Sequence, residues 1–225
     1  YIKHMERILL FGGGNQLHYT IDIINKEGKY DVIGIIDSIH PVGSDRFGYK
    51  VLGRQDDLID IIDEFDIDGG LITIGDNWSR FYVQQSITKQ LPNFKFINAI
   101  HPSVIIGENV NIGFGVVIMA GCIINPKTTI GDFTFFATGA QIDHDCTIED
   151  YASISAGSVL GGYVIVKEYA AITLGVTIID RLTIGFNTVI GSGSLVTKSF
   201  PNNVLAYGSP AKVMKNRKQG EKFLK

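Results

Sequence analysis

Residues 141–166, QIDHDCTIEDYASISAGSVLGGYVIV, carry an apolar side chain at every sixth position. These positions are Ile142, Ile148, Ile154, Leu160 and Val166. The same spacing runs without insertion from Ile106 to Val196, and only Phe136 in this series is not aliphatic. A period of six drifts around the 3.6-residue turn of a helix, so it does not mark one helical face. It is typical of a solenoid of short strands in which each hexad forms one flat side.

A compact residue stands two positions before each apolar one, as at Ala140, Ala152 and Ser158. We expect the apolar side chain to point into a thin core and the compact residue to lie beside a corner of the coil. The two cysteines of the chain, Cys122 and Cys146, both occupy the compact position. They are therefore predicted to be small core residues and not a disulfide or a metal-binding pair.

The composition limits the class of protein. A length of 225 residues fits one large or two modest domains, and we expect an N-terminal domain at 5–100, a solenoid at 101–200 and a solvated basic tail at 201–225. A net charge of −3 predicts no nucleic-acid partner. No apolar run approaches the ~20 residues of a membrane span, which predicts a cytoplasmic protein. Met5 is the expected natural start, with Tyr1 to His4 outside the fold.

The first hundred residues have a different rhythm, in which apolar strands alternate with helical stretches. Strands are predicted at 7–11, 30–37, 70–74 and 94–98, and helices at 16–27, 56–65 and 78–91. This alternation indicates a parallel sheet of four strands with helices on both faces. The pair His101-Pro102 marks the junction with the solenoid, because the residue before a proline is extended.

A run of three glycines, Gly12, Gly13 and Gly14, joins the first strand to the first helix. Glycines at this point let the backbone approach a phosphate, and the helix offers its N-terminal amides. The dinucleotide fingerprint needs spaced glycines, so this consecutive run argues against NAD. The loop is either a phosphate cradle or a tight turn. Asp37, at the end of the second strand, is either a reader of a ribose hydroxyl or base edge or a turn-capping residue.

His144 is the one histidine within the repeats. Because Ile142 takes the inward position, Asp143 should point outward, and His144 and Asp145 should form a corner. A carboxylate beside an imidazole fixes its tautomer and stabilises the imidazolium that forms when the ring takes a proton. His144 is therefore a candidate general base, and a surface histidine without a role is the alternative.

Two motifs, His144-Asp145-Cys146 and the closing stretch 208–212 (GSPAK), give the chain a resemblance to the hexapeptide-repeat acyltransferases. Within them it resembles the sugar-nucleotide N-acetyltransferases that build amino sugars for bacterial surface glycans, and the related sialic-acid O-acetyltransferases. The resemblance runs from Ile8 to about Met214. It implies a Rossmann-like α/β N-terminal domain followed by a left-handed parallel β-helix, and a homotrimer. It also implies acetyl-CoA as cosubstrate, a nucleotide-linked amino sugar as substrate, and no metal.

The resemblance assigns catalytic roles to three residues of the solenoid. It makes His144 the general base that takes a proton from the sugar amine, and Asp145 the residue that orients it. It makes the backbone N–H of Gly162, one coil later, the donor to the thioester carbonyl as it becomes an oxyanion. No cysteine lies where it could carry an acyl group, so we expect direct transfer in a ternary complex.

The resemblance also implies where the two substrates bind. Acetyl-CoA should lie in a groove between two prisms, and the lysines of the tail should meet its phosphates. Its predicted contacts are Leu174, Gly175, Ser192 and Lys212. The nucleotide of the sugar substrate should rest on Gly12, Gly13, Gly14 and Asp37.

The chain departs from the family pattern where the nucleotide and sugar are recognised. The usual Gly-Gly-His-Ala-Lys loop reads GGNQL at 13–17, and Ser38 replaces the second of two acids. An asparagine that is common before the catalytic stretch is Ala137. The sequence therefore leaves open the nucleotide (UDP, dTDP or GDP), the sugar and the position of its amine.

Four other functions are alternatives to N-acetylation of a sugar. O-acetylation would use the same base, and the sequence does not separate the two reactions. A zinc carbonic anhydrase on this solenoid would need three histidines in the array. An ice-binding or scaffold solenoid would need a threonine at one position of every coil, and the threonines of 128–147 are not expected to align. The intact His144-Asp145 pair argues against a nucleotide-sugar-binding protein without activity.

Overall fold

The structure is a computed structural model that describes residues 5–224; Tyr1 to His4 and Lys225 lie outside the described residues. Its first part is an α/β domain of five strands, three helices and one 3₁₀ turn. The elements are β1 (Glu6–Phe11), α1 (Asn15–Glu27), β2 (Tyr30–Ile36), β3 (Asp45–Arg46), β4 (Tyr49–Gly53), the 3₁₀ turn Gln55–Asp57, α2 (Leu58–Phe65), β5 (Gly69–Ile72) and α3 (Asn77–Gln90).

The sheet of this domain has the order β3-β4-β2-β1-β5, and only the β3–β4 pair is antiparallel. Successive residues of β1 are buried on opposite faces, with Ile8 and Leu10 against α1, and Leu9 and Phe11 against α2 and α3. A strand covered on both faces reads as a continuous apolar run, which is why ERILLF predicts a central strand.

Two details of the predicted sheet are wrong. The hairpin β3–β4 was not predicted, because its strands are short and separated by Phe47 and Gly48. The strand predicted at 94–98 is reduced to a single bridge between Phe96 and Gly70. The chain turns there towards the solenoid, and the side-chain amide of Asn98 donates to the carbonyl of Gly113 at 2.7 Å.

The second part is a three-sided parallel β-helix in which each strand pairs with the strand 18 residues later. The first face contains Ile105–Ile106, Ile123–Ile124, Gln141–Ile142, Val159–Leu160, Thr177–Ile178 and Leu195–Val196. The second face contains Asn111–Ile112, Thr129–Ile130, Thr147–Ile148, Ile165–Val166 and Thr183–Ile184. The third face contains Ala99–Ile100, Val117–Ile118, Phe135–Phe136, Ser153–Ile154, Ala171–Ile172, Val189–Ile190, Val204–Gly208 and Ala211–Asn216.

The sixth-position residues fill the core as predicted, and the compact residues share it. Cys146 and Ala152 belong to the same buried cluster as Ile142 and Ile148, so the compact residues also point inwards at the corners. The first coil is the exception, since Ile106 is 42% exposed at the open end of the prism.

Three rows of turns form the corners of the prism. The His144 corner (107–110, 125–128, 143–146, 161–164, 179–182) joins the first face to the second. The aromatic corner (113–116, 131–134, 149–152, 167–170, 185–188) joins the second face to the third. The glycine corner (119–122, 137–140, 155–158, 173–176, 191–194) joins the third face to the first.

Each corner has one residue with positive φ in every coil, but the residue types differ. The His144 corner uses side chains, at Asn109, Lys127, Asp145, Tyr163 and Arg181. The glycine corner uses glycine in each of five coils, at Gly121, Gly139, Gly157, Gly175 and Gly193. Because the same conformation accepts side chains elsewhere, glycine at this corner does more than relieve strain. It leaves open space along one edge of the prism.

The α/β domain packs on the aromatic corner and the third face. The rings of Phe133, Tyr151 and Tyr169 stack on one another in successive coils, with centroids 5.2 and 5.0 Å apart. Trp78 at the start of α3 stacks on Tyr169 at 4.1 Å, and its Nε1 donates to Oδ1 of Asn187 at 2.9 Å. This row of rings fixes where the domain sits on the solenoid.

Arg80 of α3 is the second element of this contact. It is 2% exposed and donates to the carbonyls of Ile74 and Gly75 in its own domain, and to those of Phe133 and Tyr151 in the solenoid. Burial lowers the pKa of its guanidinium to about 10. The charge is satisfied by carbonyl dipoles, which hold the two parts of the chain together.

The basic tail is not a solvated end, which corrects that prediction. Val204–Gly208 and Ala211–Asn216 form an antiparallel hairpin on the third face. Residues 217–224, called the C-terminal strap below, then return to the α/β domain. Arg217 is buried and donates to the carbonyl of Asn187 at 3.2 Å, and the amide of Phe223 donates to Asp76 at 3.2 Å.

The threonines do not behave quite as expected. Thr129 and Thr147 pair directly on the second face, so part of the 128–147 set does align. Asn111 and Ile165 take the same position in the coils on either side. The threonine column is therefore two coils long and not the continuous row that an ice-binding face would require.

Candidate active site

His144 and Asp145 form a hydrogen-bonded pair on the His144 corner. Nδ1 of His144 lies 2.8 Å from Oδ2 of Asp145, and the imidazole is 48% exposed. A carboxylate only accepts hydrogen bonds, so Nδ1 carries the proton and Nε2 is left to accept one. Asp145 has a φ of 55°, a conformation that aspartate tolerates and that turns its carboxylate back towards the ring. The pair thus has the arrangement of an oriented general base.

Gly162 lies directly above this ring. A methyl group built on Gly162 would be 3.0 Å from both Cε1 and Nε2 of His144, so the glycine faces the basic nitrogen. The amides of Gly161 and Tyr163 donate to the carbonyls of Ile178 and His144. Among the described residues, no acceptor takes the N–H of Gly162. A free backbone donor beside a proton acceptor is the arrangement that an oxyanion intermediate requires.

Aromatic and cationic side chains complete the surroundings of His144. The edge of its ring meets Tyr163, with centroids 5.2 Å apart, and the guanidinium of Arg181 lies 4.4 Å over Tyr163. Cys146, next in sequence to Asp145, is buried, and burial raises the pKa of its thiol to about 11. A thiol that stays protonated is a poor nucleophile.

The glycine run opens onto a cavity of about 480 Å³ in the α/β domain, whose lining includes 12–16, Asp37, Ser38, Gly75 and Lys222. It is called the nucleotide pocket below, after the prediction that a nucleotide binds to the glycine run. Gly14 is the N-cap of α1 and offers no side chain, and no acid stands in the first turn. The amides at the start of α1 are therefore available to an anion. This volume is in the usual range of small-ligand sites.

Asp37 organises the loop beside this pocket. It is 6% exposed and accepts hydrogen bonds from the amides of Gly13, Ile39 and His40 and from the ring of His40. Burial acts to raise the pKa of Asp37, but these hydrogen bonds outweigh it and the pKa is lowered. A side chain built on Gly13 would meet Asp37 and His40, so the bond between loop and carboxylate requires glycine there.

A second cavity, of about 690 Å³, continues from the nucleotide pocket to the solenoid, and is here called the solenoid pocket. It reaches the glycine corner at Ala137, Ala156 and Leu174. Gly175 has a φ of 64° and nothing within 4 Å of an added methyl group. Oγ of Ser192, one coil further, lies 3.1 Å from Oγ1 of Thr173. Lys212 is exposed on the terminal hairpin.

The predicted site residues thus fall into two groups on one chain. His144, Asp145 and Gly162 lie on the His144 corner. The predicted acetyl-CoA residues and the predicted nucleotide residues lie near the glycine corner and the third face. The whole first face separates the two corners. One chain therefore does not bring its own His144 to its own pockets.

Sequence reasoning missed Gln16 and Arg80 in this region, and it assigned Lys222, with the other lysines of the tail, to the phosphates of acetyl-CoA. Gln16 and Lys222 line both pockets, and Arg80 holds the carbonyl of Gly75 at the wall between them. Gln16 was visible as a departure from the usual loop, but Lys222 stands in a polar tail without any periodic signal. Among the described residues, no cluster of three or more His, Cys, Asp or Glu could hold a metal ion, and no helix is long and apolar enough to cross a membrane.

Comparison with protein families finds two matches along the chain. Residues 7–87 match the PglD N-terminal domain, and residues 127–162 match the bacterial transferase hexapeptide (six repeats). Together with the three parallel ladders, these matches confirm the expected fold class, an α/β domain followed by a left-handed parallel β-helix.

Solved structures give matches over nearly the whole chain. A histidine-to-alanine variant of GDP-perosamine N-acetyltransferase from Caulobacter crescentus, in complex with CoA and GDP-perosamine, is 31% identical, with a TM-score of 0.88 over 95% of this chain and 99% of that one. The acetyltransferase domain of PglB from Neisseria gonorrhoeae, in complex with acetyl coenzyme A, has a TM-score of 0.83 over 94% and 100% of the two chains. Its identity of 23% supports the fold alone.

Curated relatives match a short segment only. A galactoside O-acetyltransferase of Lactococcus lactis is 54% identical over 39 residues, which are 17% of this chain and 19% of that protein. The chain thus covers about a fifth of the length of the curated relatives it matches. Its similarity to the Caulobacter enzyme, in contrast, extends from end to end, and the chain belongs to the sugar N-acetyltransferases of the hexapeptide-repeat acyltransferase superfamily.

Proposed function

We propose that this enzyme transfers the acetyl group of acetyl-CoA to the amine of a nucleotide-linked amino sugar, for the synthesis of a bacterial surface glycan. The observation that carries the proposal is the alignment of His144, Asp145 and Gly162, with Nε2 of the histidine facing a glycine whose N–H has no acceptor within residues 5–224. The relative of known structure was crystallised with CoA and a GDP-linked amino sugar, which supports both substrate classes. The cytoplasmic location expected from the sequence stays a prediction.

The chemistry follows from these groups. The neutral amine attacks the thioester carbonyl, a C–N bond forms, and the carbonyl oxygen becomes an oxyanion that accepts a hydrogen bond from the N–H of Gly162. Nε2 of His144 takes the proton that the amine loses, and Asp145 stabilises the resulting imidazolium. Collapse of the intermediate breaks the C–S bond, and the imidazolium returns its proton to the CoA thiolate. No covalent enzyme intermediate is needed.

The separation of the two corners supports a homotrimer. In a ring of three prisms, the His144 corner of one subunit faces the glycine corner of the next, and each pocket meets its neighbour's base. The open row of glycines then leaves a groove for the pantetheine arm of acetyl-CoA beside Leu174, Gly175 and Ser192. Light scattering tests this arrangement, and a stable monomer with full activity would contradict it.

The decisive experiment is an assay of CoA release with a panel of UDP-, dTDP- and GDP-linked 3-amino and 4-amino dideoxy sugars. Matched sugars with a hydroxyl in place of the amine test O-acetylation in the same plate. We expect one amino sugar to be turned over and its hydroxyl counterpart to be inert. Turnover of the hydroxyl sugars alone would contradict the proposal and indicate an O-acetyltransferase.

The role of His144 is tested in the same assay. His144→Ala should lower kcat about 100-fold or more, the size expected for a general base, while the melting temperature barely changes because the side chain is half exposed. Asp145→Asn should do less damage, since Asp145 orients the ring and does not itself transfer the proton. Activity of His144→Ala near that of the unmodified enzyme would place the base elsewhere.

A further inference from the structure

Gln16 and Arg7 are the described residues with buried side-chain polar atoms that lack a hydrogen-bond partner, and Gln16 is the one of the two that lines a pocket. Both polar atoms of its amide, Nε2 and Oε1, are buried without a hydrogen-bond partner among the described residues. A buried unpaired amide is costly, so its retention calls for a partner that the protein itself does not supply. Gln16 lies in the first turn of α1 and lines both the nucleotide pocket and the solenoid pocket.

The C-terminal strap covers this amide. A methyl group built on Gly75 would lie 3.0 Å from Cδ1 of Leu224 and 3.1 Å from Oε1 of Gln16, so strap and amide meet at the same glycine. The strap is fixed at both ends. The side-chain amide of Asn187 donates to the carbonyl of Lys218 at 3.0 Å, and Asp76, which caps α3, accepts the amide of Phe223.

Lys222 brings a cation to the same junction. Among the described residues, it is the one lysine or arginine that lines the nucleotide pocket, and also the one that lines the solenoid pocket. No described acid pairs with it, whereas Lys215 of the neighbouring hairpin is paired with Glu221 at 3.0 Å. An uncommitted cation, an unpaired amide and the uncapped start of α1 therefore converge where the two pockets meet.

We propose that Gln16 and Lys222 bind the diphosphate of the nucleotide-linked sugar at this junction. The nucleoside then fills the nucleotide pocket, and the amino sugar extends into the solenoid pocket. Lys222 neutralises the diphosphate, Nε2 of Gln16 donates to one of its oxygens, and Oε1 accepts a hydroxyl of the sugar. This assignment rests on the proposed function, which supplies the nucleotide sugar. It makes the C-terminal strap a part of the substrate site.

Calorimetry with the full-length enzyme tests the role of Lys222. The probes are GDP, UDP and dTDP, each compared with its nucleoside. Lys222→Met should weaken binding of the diphosphate that the unmodified enzyme prefers by about 10- to 100-fold, the effect of losing a hydrogen bond to a charged group, and should leave the nucleoside unaffected. Lys222→Arg should restore most of the affinity. Lys218→Met is the matched control, since Lys218 is exposed on the same strap and lines neither pocket.

Gln16→Met gives an independent readout. The substitution keeps the volume of the side chain and removes an unpaired amide, so the melting temperature should stay the same or rise. Diphosphate affinity should nevertheless fall by about 10-fold or more, the effect of losing a hydrogen bond to a charged group. A residue with a merely structural role would not combine unchanged stability with weaker binding.

The outcomes separate this assignment from the proposed function. If the unmodified enzyme binds a nucleoside diphosphate and Lys222→Met binds it equally well, the diphosphate site is elsewhere and the proposed function stands. Equal weakening of diphosphate and nucleoside by Lys222→Met would also overturn the assignment. If the unmodified enzyme binds none of the three diphosphates and none of their amino sugars, the proposed function fails and this inference with it.

Discussion

Replacing Gly162 with alanine should disable the enzyme without unfolding it. The equivalent position in the other coils holds Glu108, Pro126, His144 and Asp180, and Gly162 does not have a positive φ, so the backbone accepts a side chain. The obstacle is the lack of space between Gly162 and the ring of His144. The new methyl group would lie 3.0 Å from Cε1 and Nε2 of His144, whereas ordinary contacts begin at 3.4 Å.

The size of the effect follows from this distance. The ring must move by about 0.4 Å or more, against its bond to Asp145 and its contact with Tyr163. Displacement of a catalytic group by ~1 Å costs on the order of 100-fold in rate, so we expect kcat to fall about 10- to 100-fold. Because the imidazole is half exposed and free to swing outward, the free energy of unfolding should change by less than about 1 kcal/mol.

A double-mutant cycle isolates the contact. Urea unfolding is measured for Gly162→Ala, His144→Ala and the double variant. In the His144→Ala background the second substitution should cost no stability, since the ring that it would meet is gone. Acetyl-CoA affinity is also compared between His144→Ala and the double variant. With His144 present, a substitution of Gly162 by Ala or Val would disturb the histidine and the thioester together, so its effect on acetyl-CoA binding could not be separated. Unchanged kcat in Gly162→Ala would refute the proposed alignment of glycine and base.

Three further outcomes are expected. Arg80→Met should destabilise the protein by about 3 kcal/mol or more in urea unfolding, because it leaves four carbonyls unpaired across the domain contact, at ~1–3 kcal/mol for each one that stays buried. The pKa of Asp37 is lowered from 3.8, so its contribution to stability is complete above about pH 4 and is lost as the pH falls through the lowered pKa. Thermal melts from pH 2 to 7 should show a smaller acid loss of stability in Asp37→Asn than in the native enzyme, with the remaining loss coming from other acids of lowered pKa such as Asp22 and Glu221. Cys146→Ala should keep activity within a few-fold in the CoA-release assay, and a complete loss with folding intact would point to an acyl-enzyme route.

The hexad repeat made the solenoid predictable, and with it the proximity of Gly162 to His144. With a period of six and three sides, residues 18 apart are neighbours, so Gly162 had to lie over His144 once the corner was placed. The strand-helix alternation was equally clear for β1, β2 and β5, whose central residues are apolar. In each case the signal in the sequence is local or periodic, and it corresponds directly to which side chains are buried.

Contacts between the two parts of the chain carried no such signal. Arg80 lies 53 residues from Phe133 and 71 from Tyr151, and nothing in a helix of mixed composition marks it as buried. The C-terminal strap escaped prediction because its polar sequence suits a solvated tail, and its order comes from Arg217 and Asn187. Asp37 is a different case. Its position at the end of the strand was predicted correctly, but its carboxylate already accepts hydrogen bonds from the amides of the neighbouring loops.

The strap also limits how this solenoid can vary in length. It leaves the prism at the coil of Asn187 and must reach Asp76 in the α/β domain. One extra hexad below the hairpin would turn the hairpin onto another face by a third of a revolution and carry Lys222 away from both pockets. One extra coil of three hexads would keep the face but raise the start of the strap by ~4.8 Å. Insertions in the repeats therefore need a compensating change after residue 217, and the number of coils is coupled to the eight residues of the strap, 217–224.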